Sequence, residues 1–175
     1  MLIENGVKFF WALSTLLLSL TYAAVWFRFS LVQTFPSLNA MQIHYMTAIP
    51  CTLLQFFTAL GVLFYFIGTG VWIKDQAMGL AKKDRKKAEA VYEIYKKANK
   101  LKGQAFPFVT FAIFFGIMTF VLGGARQVEA IPNWIHPTIA SLFVLISVVS
   151  MPFIFPAIKR NIAYLDEASK LLESP

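Results

Sequence analysis

His44 and His136 are the only two histidines in the 175-residue chain. Imidazole is the most versatile metal ligand among side chains and the usual axial ligand of haem iron. Each histidine sits in the same kind of context. A segment with a proline and an asparagine comes first, Pro36 and Asn39 in one case, Pro132 and Asn133 in the other. Ile43-His44 and Ile135-His136 follow, and each histidine has alanine four residues on, Ala48 and Ala140. Upstream, Thr21-Tyr22 leads to Arg28 at the interval by which Thr119-Phe120 leads to Arg126.

Two neutral imidazoles from facing helices are what bis-histidine ligation of a b-type haem needs. The arginines fall at the same end of the chain's helices and suit haem propionates, through charge-assisted hydrogen bonds. The expected site is therefore His44 and His136 on haem iron, with Arg28 and Arg126 on the propionates. No Cys-x-x-Cys-His is present, so covalent haem attachment is not expected. The rival is a porphyrin-free copper or zinc site among Met41, His44, Met46 and Cys51, where soft sulfur joins imidazole. Against it, a helix puts Cys51 nearly two turns from His44.

These residues must be held by helices in a membrane. Hydrophobic residues make up 58% of the chain and charged residues 14%, against about 25% charged in an average soluble domain. So few polar side chains cannot cover a soluble surface, and disorder needs the opposite composition. A single cysteine, Cys51, excludes an internal disulfide framework.

Residues 9–27, 45–73, 103–125 and 130–158 contain no Lys, Arg, Asp or Glu. A bilayer needs about 20 apolar residues per helix, and its interior requires every backbone N–H to be satisfied locally. The runs predict four spans, 8–31, 45–73, 104–126 and 136–160, in one membrane domain covering 1–175. The first run is too long for a signal-peptide core and is preceded by Glu4, so an uncleaved helix is expected. The fold class expected is all-α integral membrane, a four-helix bundle of two repeated hairpins related by an axis along the membrane normal.

Orientation follows the basic residues. Ten of the 16 lie between Lys74 and Lys102, and four spans put Lys8, Lys159, Arg160 and Lys170 on the same side. Only Arg28 and Arg126 fall opposite. The positive-inside rule then places both termini in the cytoplasm, and a bacterial inner membrane is the expected location. Topology accounts for the charge without nucleic acid. Within the connector 74–103, Ala88, Val91, Ile94, Tyr95, Ala98 and Leu101 recur at helical spacing. They predict a basic amphipathic helix capped by Asp84 and separated from the third span by Gly103, a docking face or a helix lying on anionic lipid. Trp11, Trp72 and Tyr164 are expected at the inner interface, Trp26, Tyr45 and Trp134 at the outer one.

No Asp or Glu falls inside a span, which disfavours a proton-coupled transporter. The polar residues within the spans, Ser14, Thr15, Ser19, Gln55, Thr58, Ser141, Ser147 and Ser150, are expected to bond between helices. Pro152 and Pro156 are expected to bend the fourth span and open a gap at its cytoplasmic end, one that accommodates packing or admits a lipid or quinone.

The expected function is a non-catalytic electron-transfer or anchor subunit with one b-type haem near the extracytoplasmic face. It would pass electrons to quinone or a neighbouring subunit, working with other membrane subunits or as a homo-oligomer. Two other classes fit the same composition. One is a cofactor-free assembly subunit that docks partners through the basic helix; the other is a small channel or transporter.

Overall fold

The computed structural model describes residues 2–26 and 40–174. Arg28, Pro36 and Asn39 lie outside them. The described chain is four helices: α1 (Leu2–Trp26), α2 (Ala40–Leu80), α3 (Arg85–Gln127) and α4 (Ile135–Glu173). All four are long and apolar enough to cross a membrane, the pattern of a multi-pass membrane protein. Consecutive helices pack side by side, α4 closes back on α1, and α2 meets α4 only weakly across the diagonal. Phe57, Phe64, Phe111, Phe114, Phe120 and Leu145 are exposed. A bilayer would cover such an apolar outer face.

The last three helices outrun any bilayer. They have 41, 43 and 39 residues. At 1.5 Å per residue each is about 60 Å long, against a hydrocarbon core of about 30 Å. The expected break at Gly103 is absent: the basic connector helix and the third span are one helix, Arg85–Gln127. The reason lies in its buried face. Ala88, Val91, Ile94, Ala98, Leu101, Ala105, Val109, Ala112, Gly116 and Thr119 are buried at intervals of three and four residues. This stripe keeps phase through Gly103, so one helix can pack along its whole length.

The basic segment is therefore part of a packed stalk. Ile73, Ala77, Val91, Ile94, Ala98 and Ala168 form its core, with Leu80, Tyr95, Tyr164, Leu165 and Leu171 against them. Leu80 turns α2 into α3 by accepting from the amides of Lys83 and Asp84, each at 2.8 Å. Asp84 then caps α3 as expected, its carboxylate accepting from the Lys87 amide at 3.1 Å.

In the apolar half the core is Trp11, Ala59, Val62, Phe66, Ala105, Val109, Ala112, Ile154, Ala157 and Ile158. Small residues on α3 let its neighbours come close, the usual basis of helix contact where lipid removes the hydrophobic drive. Trp11 is a correction. It is 0% exposed rather than at an interface, and its indole N–H donates to the Ser147 carbonyl at 3.1 Å, tying α1 to α4. Tyr164 is half-buried and packs against the stalk core.

The end of α3 decides where its arginine sits. The Glu129 amide bonds the Arg126 carbonyl at 3.0 Å and the Ala130 amide bonds the Ala125 carbonyl at 2.9 Å, the two bonds of a Schellman cap. Glu129 has φ 56°, in the left-handed region where glycine is normal and a β-carbon costs about 1–2 kcal/mol. Glu129→Gly should therefore raise stability by about 0.5–1 kcal/mol after its own chain-entropy cost. Thermal unfolding in detergent checks this; a lower melting temperature would contradict it.

Candidate functional site

The two histidines come from α2 and α4, the diagonal pair, and both stand near the helix ends farthest from the stalk. Their rings face each other with centroids 6.5 Å apart and planes at 83°. In each ring Nδ1 is buried and has no hydrogen-bond partner. One orphaned imidazole nitrogen is uncommon in a protein interior; two on facing rings form a pair of unused lone-pair or proton positions.

The surroundings set the orientation of His136. The ring lies flat against α3 at Gly123, where an added β-carbon would come within 3.2 Å of Cε1. A glycine is needed there for this close approach. Gly124 beside it is open. Ala48 and Ala140, one turn inward from each histidine, are half-buried.

Arg126 is exposed, and its charge acts on both His44 and His136. The structure thus brings together three of the four expected residues, His44, His136 and Arg126; the fourth, Arg28, lies outside the described residues. The α1–α4 wall below the site is closed by a hydrogen bond between Tyr22 Oη and Ser141 Oγ.

The sulfur atoms do not join the site. Met46 is 66% exposed. The Cys51 sulfur is instead approached by the Thr21 hydroxyl at 3.7 Å, and the Met41 side chain lies outside the described part. No group of three or more His, Cys, Asp or Glu is assembled among the described residues.

Farther along the bundle is a second polar layer. Ser14 donates to Gln55 Oε1, and Thr15 approaches the same oxygen at 3.3 Å. Ser14 and Gln55 are fully buried, and Gln55 Nε2 is without a partner. These bonds join α1 to α2, as the sequence reading expects of polar residues in spans. Ser147, Ser150 and Thr58 instead bond carbonyls of their own helices. What the sequence reading missed is the bond from the Trp11 indole to the Ser147 carbonyl. It has no signal in residue type or spacing, because it depends on which helices touch.

Compared with protein-family models, curated proteins and solved structures, the chain finds no match.

Proposed function

We propose that this protein is a membrane electron-transfer or anchor subunit that holds one b-type haem between His44 and His136. The reading rests on one observation: two buried, unpartnered Nδ1 atoms on facing rings with centroids 6.5 Å apart. Imidazole nitrogens bind metal ions at about 2 Å, and the ring adds about 1 Å on each side, so two imidazoles on one ion have centroids about 6 Å apart. The observed centroid separation is close to that value. Ala48 and Ala140, one turn on from the histidines, and Gly123 against His136 are small residues near the rings. Arg126, with Arg28, would hold the propionates.

Bound haem supplies one-electron transfer at a potential set by its ligands and nearby charge. The chain's own part is to fix two imidazoles, exclude water with its apolar walls and present cations at the surface. Electrons would pass between an extracytoplasmic partner and quinone or an adjoining subunit. A reduced-minus-oxidised spectrum of protein expressed with ample haem tests this. A Soret and α-band change is expected; a featureless spectrum would leave the cofactor-free assembly role. That alternative has less to work with, because the apolar stripe of the basic segment is already covered by the stalk.

The proposed membrane is the bacterial inner membrane, with the stalk and both termini cytoplasmic. The support is that 14 of the 16 basic residues lie at the stalk side of four spans. Ala90 is exposed. In a Cys51→Ser background, Ala90→Cys should react with a membrane-impermeant maleimide only after cells are opened. Labelling from outside intact cells would reverse the orientation.

A further inference from the structure

The stalk end of the apolar region holds a second feature, which does not depend on the histidine site. Between α3 and α4 runs a groove of about 550 Å³, walled by Leu101, Gln104, Phe108, Pro152, Phe153 and Pro156. It continues into a hollow of about 350 Å³ under Lys97, Lys100, Arg160 and Tyr164, with Leu101, Gln104 and Arg160 shared between the two.

The level of this groove follows from the sequence. On α3 the last charge before the apolar run is Lys102; on α4 the first charge after it is Lys159. Both helices thus leave the hydrocarbon at one level, and the groove straddles it. From Lys100 to Phe108, and from Arg160 back to Pro152, is eight residues, or about 12 Å along each helix. Cations stand at the headgroup end and apolar walls at the acyl end.

The walls are built to stay open. Phe108 and Phe153, both lining the groove, stack face to face across α3 and α4 with centroids 4.3 Å apart and planes at 12°. Pro152 and Pro156 lie inside α4 and have no N–H, so the carbonyls of Val148 and Pro152 lose their helical partners. Among the described residues the ion pairs are Arg85–Glu89 and Lys96–Glu93. Neither neutralises Lys97, Lys100 or Arg160, and no carboxylate lines the groove.

We infer that this groove binds one anionic phospholipid from the leaflet at the stalk side. Its phosphate would sit among Lys97, Lys100 and Arg160, and an acyl chain would lie over Phe108 and Phe153. Basic pockets between spanning helices on this side of a membrane suit acidic headgroups. A zwitterionic lipid brings its own cation to a site that already has three. A quinone has no anion to offer them.

The test is native mass spectrometry of the delipidated full chain, titrated with phosphatidylglycerol or with phosphatidylcholine of the same acyl chains. One tightly held phosphatidylglycerol is expected, and no equivalent phosphatidylcholine. The Lys97→Gln, Lys100→Gln, Arg160→Gln triple variant should weaken it on the order of a hundredfold, since each surface cation contributes about a factor of five. A control triple variant, Lys82→Gln, Lys83→Gln, Lys86→Gln, removes the same charge from the stalk and should bind as the parent does. Gln104→Trp fills the groove with all charges kept and should also lose the lipid. All these positions are exposed, so helical content by circular dichroism should stay unchanged. Equal binding of both lipids, equal loss in the two triple variants, or full binding by Gln104→Trp would each overturn the assignment.

Discussion

Under the proposed haem assignment, replacing either histidine, His44→Ala or His136→Ala, should abolish the haem spectrum, whereas Arg126→Ala should weaken binding only slightly and lower the midpoint potential. The cause of this contrast is the kind of bond lost. An axial ligand is bonded directly to iron, and its removal leaves the group held by one ligand and packing. Arg126 is exposed, and an exposed ion pair is worth on the order of 1 kcal/mol because water competes for both partners. Its charge still matters for redox, since a nearby cation favours the reduced state and its removal disfavours it. Arg28→Ala should behave as Arg126→Ala does.

A third variant separates ligation from mere presence of the ring. A β-carbon at Gly123 would meet His136 Cε1 at 3.2 Å, and valine adds two more carbons at that point. Gly123→Val should therefore displace His136 and lose most of the haem although both histidines remain. Absorption spectra and redox titration of purified variants provide the readout, with circular dichroism to confirm that each is helical. If folded histidine variants kept the parent's bands, the ligand assignment would be wrong, and the pair would be two polar caps at helix ends.

Phe143→Ala should be among the strongly destabilising truncations in the apolar half. The ring is 0% exposed and fills the space over Gly116, where an added β-carbon would come within 3.2 Å of its Cζ. Removing a buried phenylalanine leaves a cavity as well as lost contacts, and typically costs about 3–5 kcal/mol. Gly116→Val errs in the opposite direction. It drives two methyl groups into the ring, and overpacking of this kind costs about 1–3 kcal/mol. The two changes share one space, so they should not add. In the double variant valine occupies part of the volume the ring vacates, and the total loss should be smaller than the sum of the singles by about 1 kcal/mol or more. Denaturant titration in a fixed detergent measures all four corners of the cycle. Strict additivity would show that the α3–α4 contact is looser than the Gly116–Phe143 approach implies.

The sequence by itself determined that this protein is helical and that four segments are long and apolar enough to cross a membrane. Both follow from local properties: uninterrupted apolar length and the need for each backbone amide to find a partner within its own segment. It also marked the residues worth watching, because only two histidines exist and their contexts match. Where reading residue by residue fell short, the cause was non-local. Gly103 reads as a break because glycine is a poor helix former; in the fold it is crossed because the buried stripe from Ala88 to Thr119 keeps phase and packs on α2 and α4. Trp11 reads as an interface anchor by type and position. Only the approach of α4 puts the Ser147 carbonyl within 3.1 Å of its indole and so makes burial favourable. The end of α3 at Glu129 carries no glycine to announce it. For the histidines, spacing could suggest a common level, but it could not bring two rings 92 residues apart in sequence to a centroid separation of 6.5 Å. That separation depends on helix order around the bundle and on Gly123, whose missing side chain lets His136 lie against α3. The angular position of each helix is set by the packing of all four, and no stretch of sequence encodes it alone.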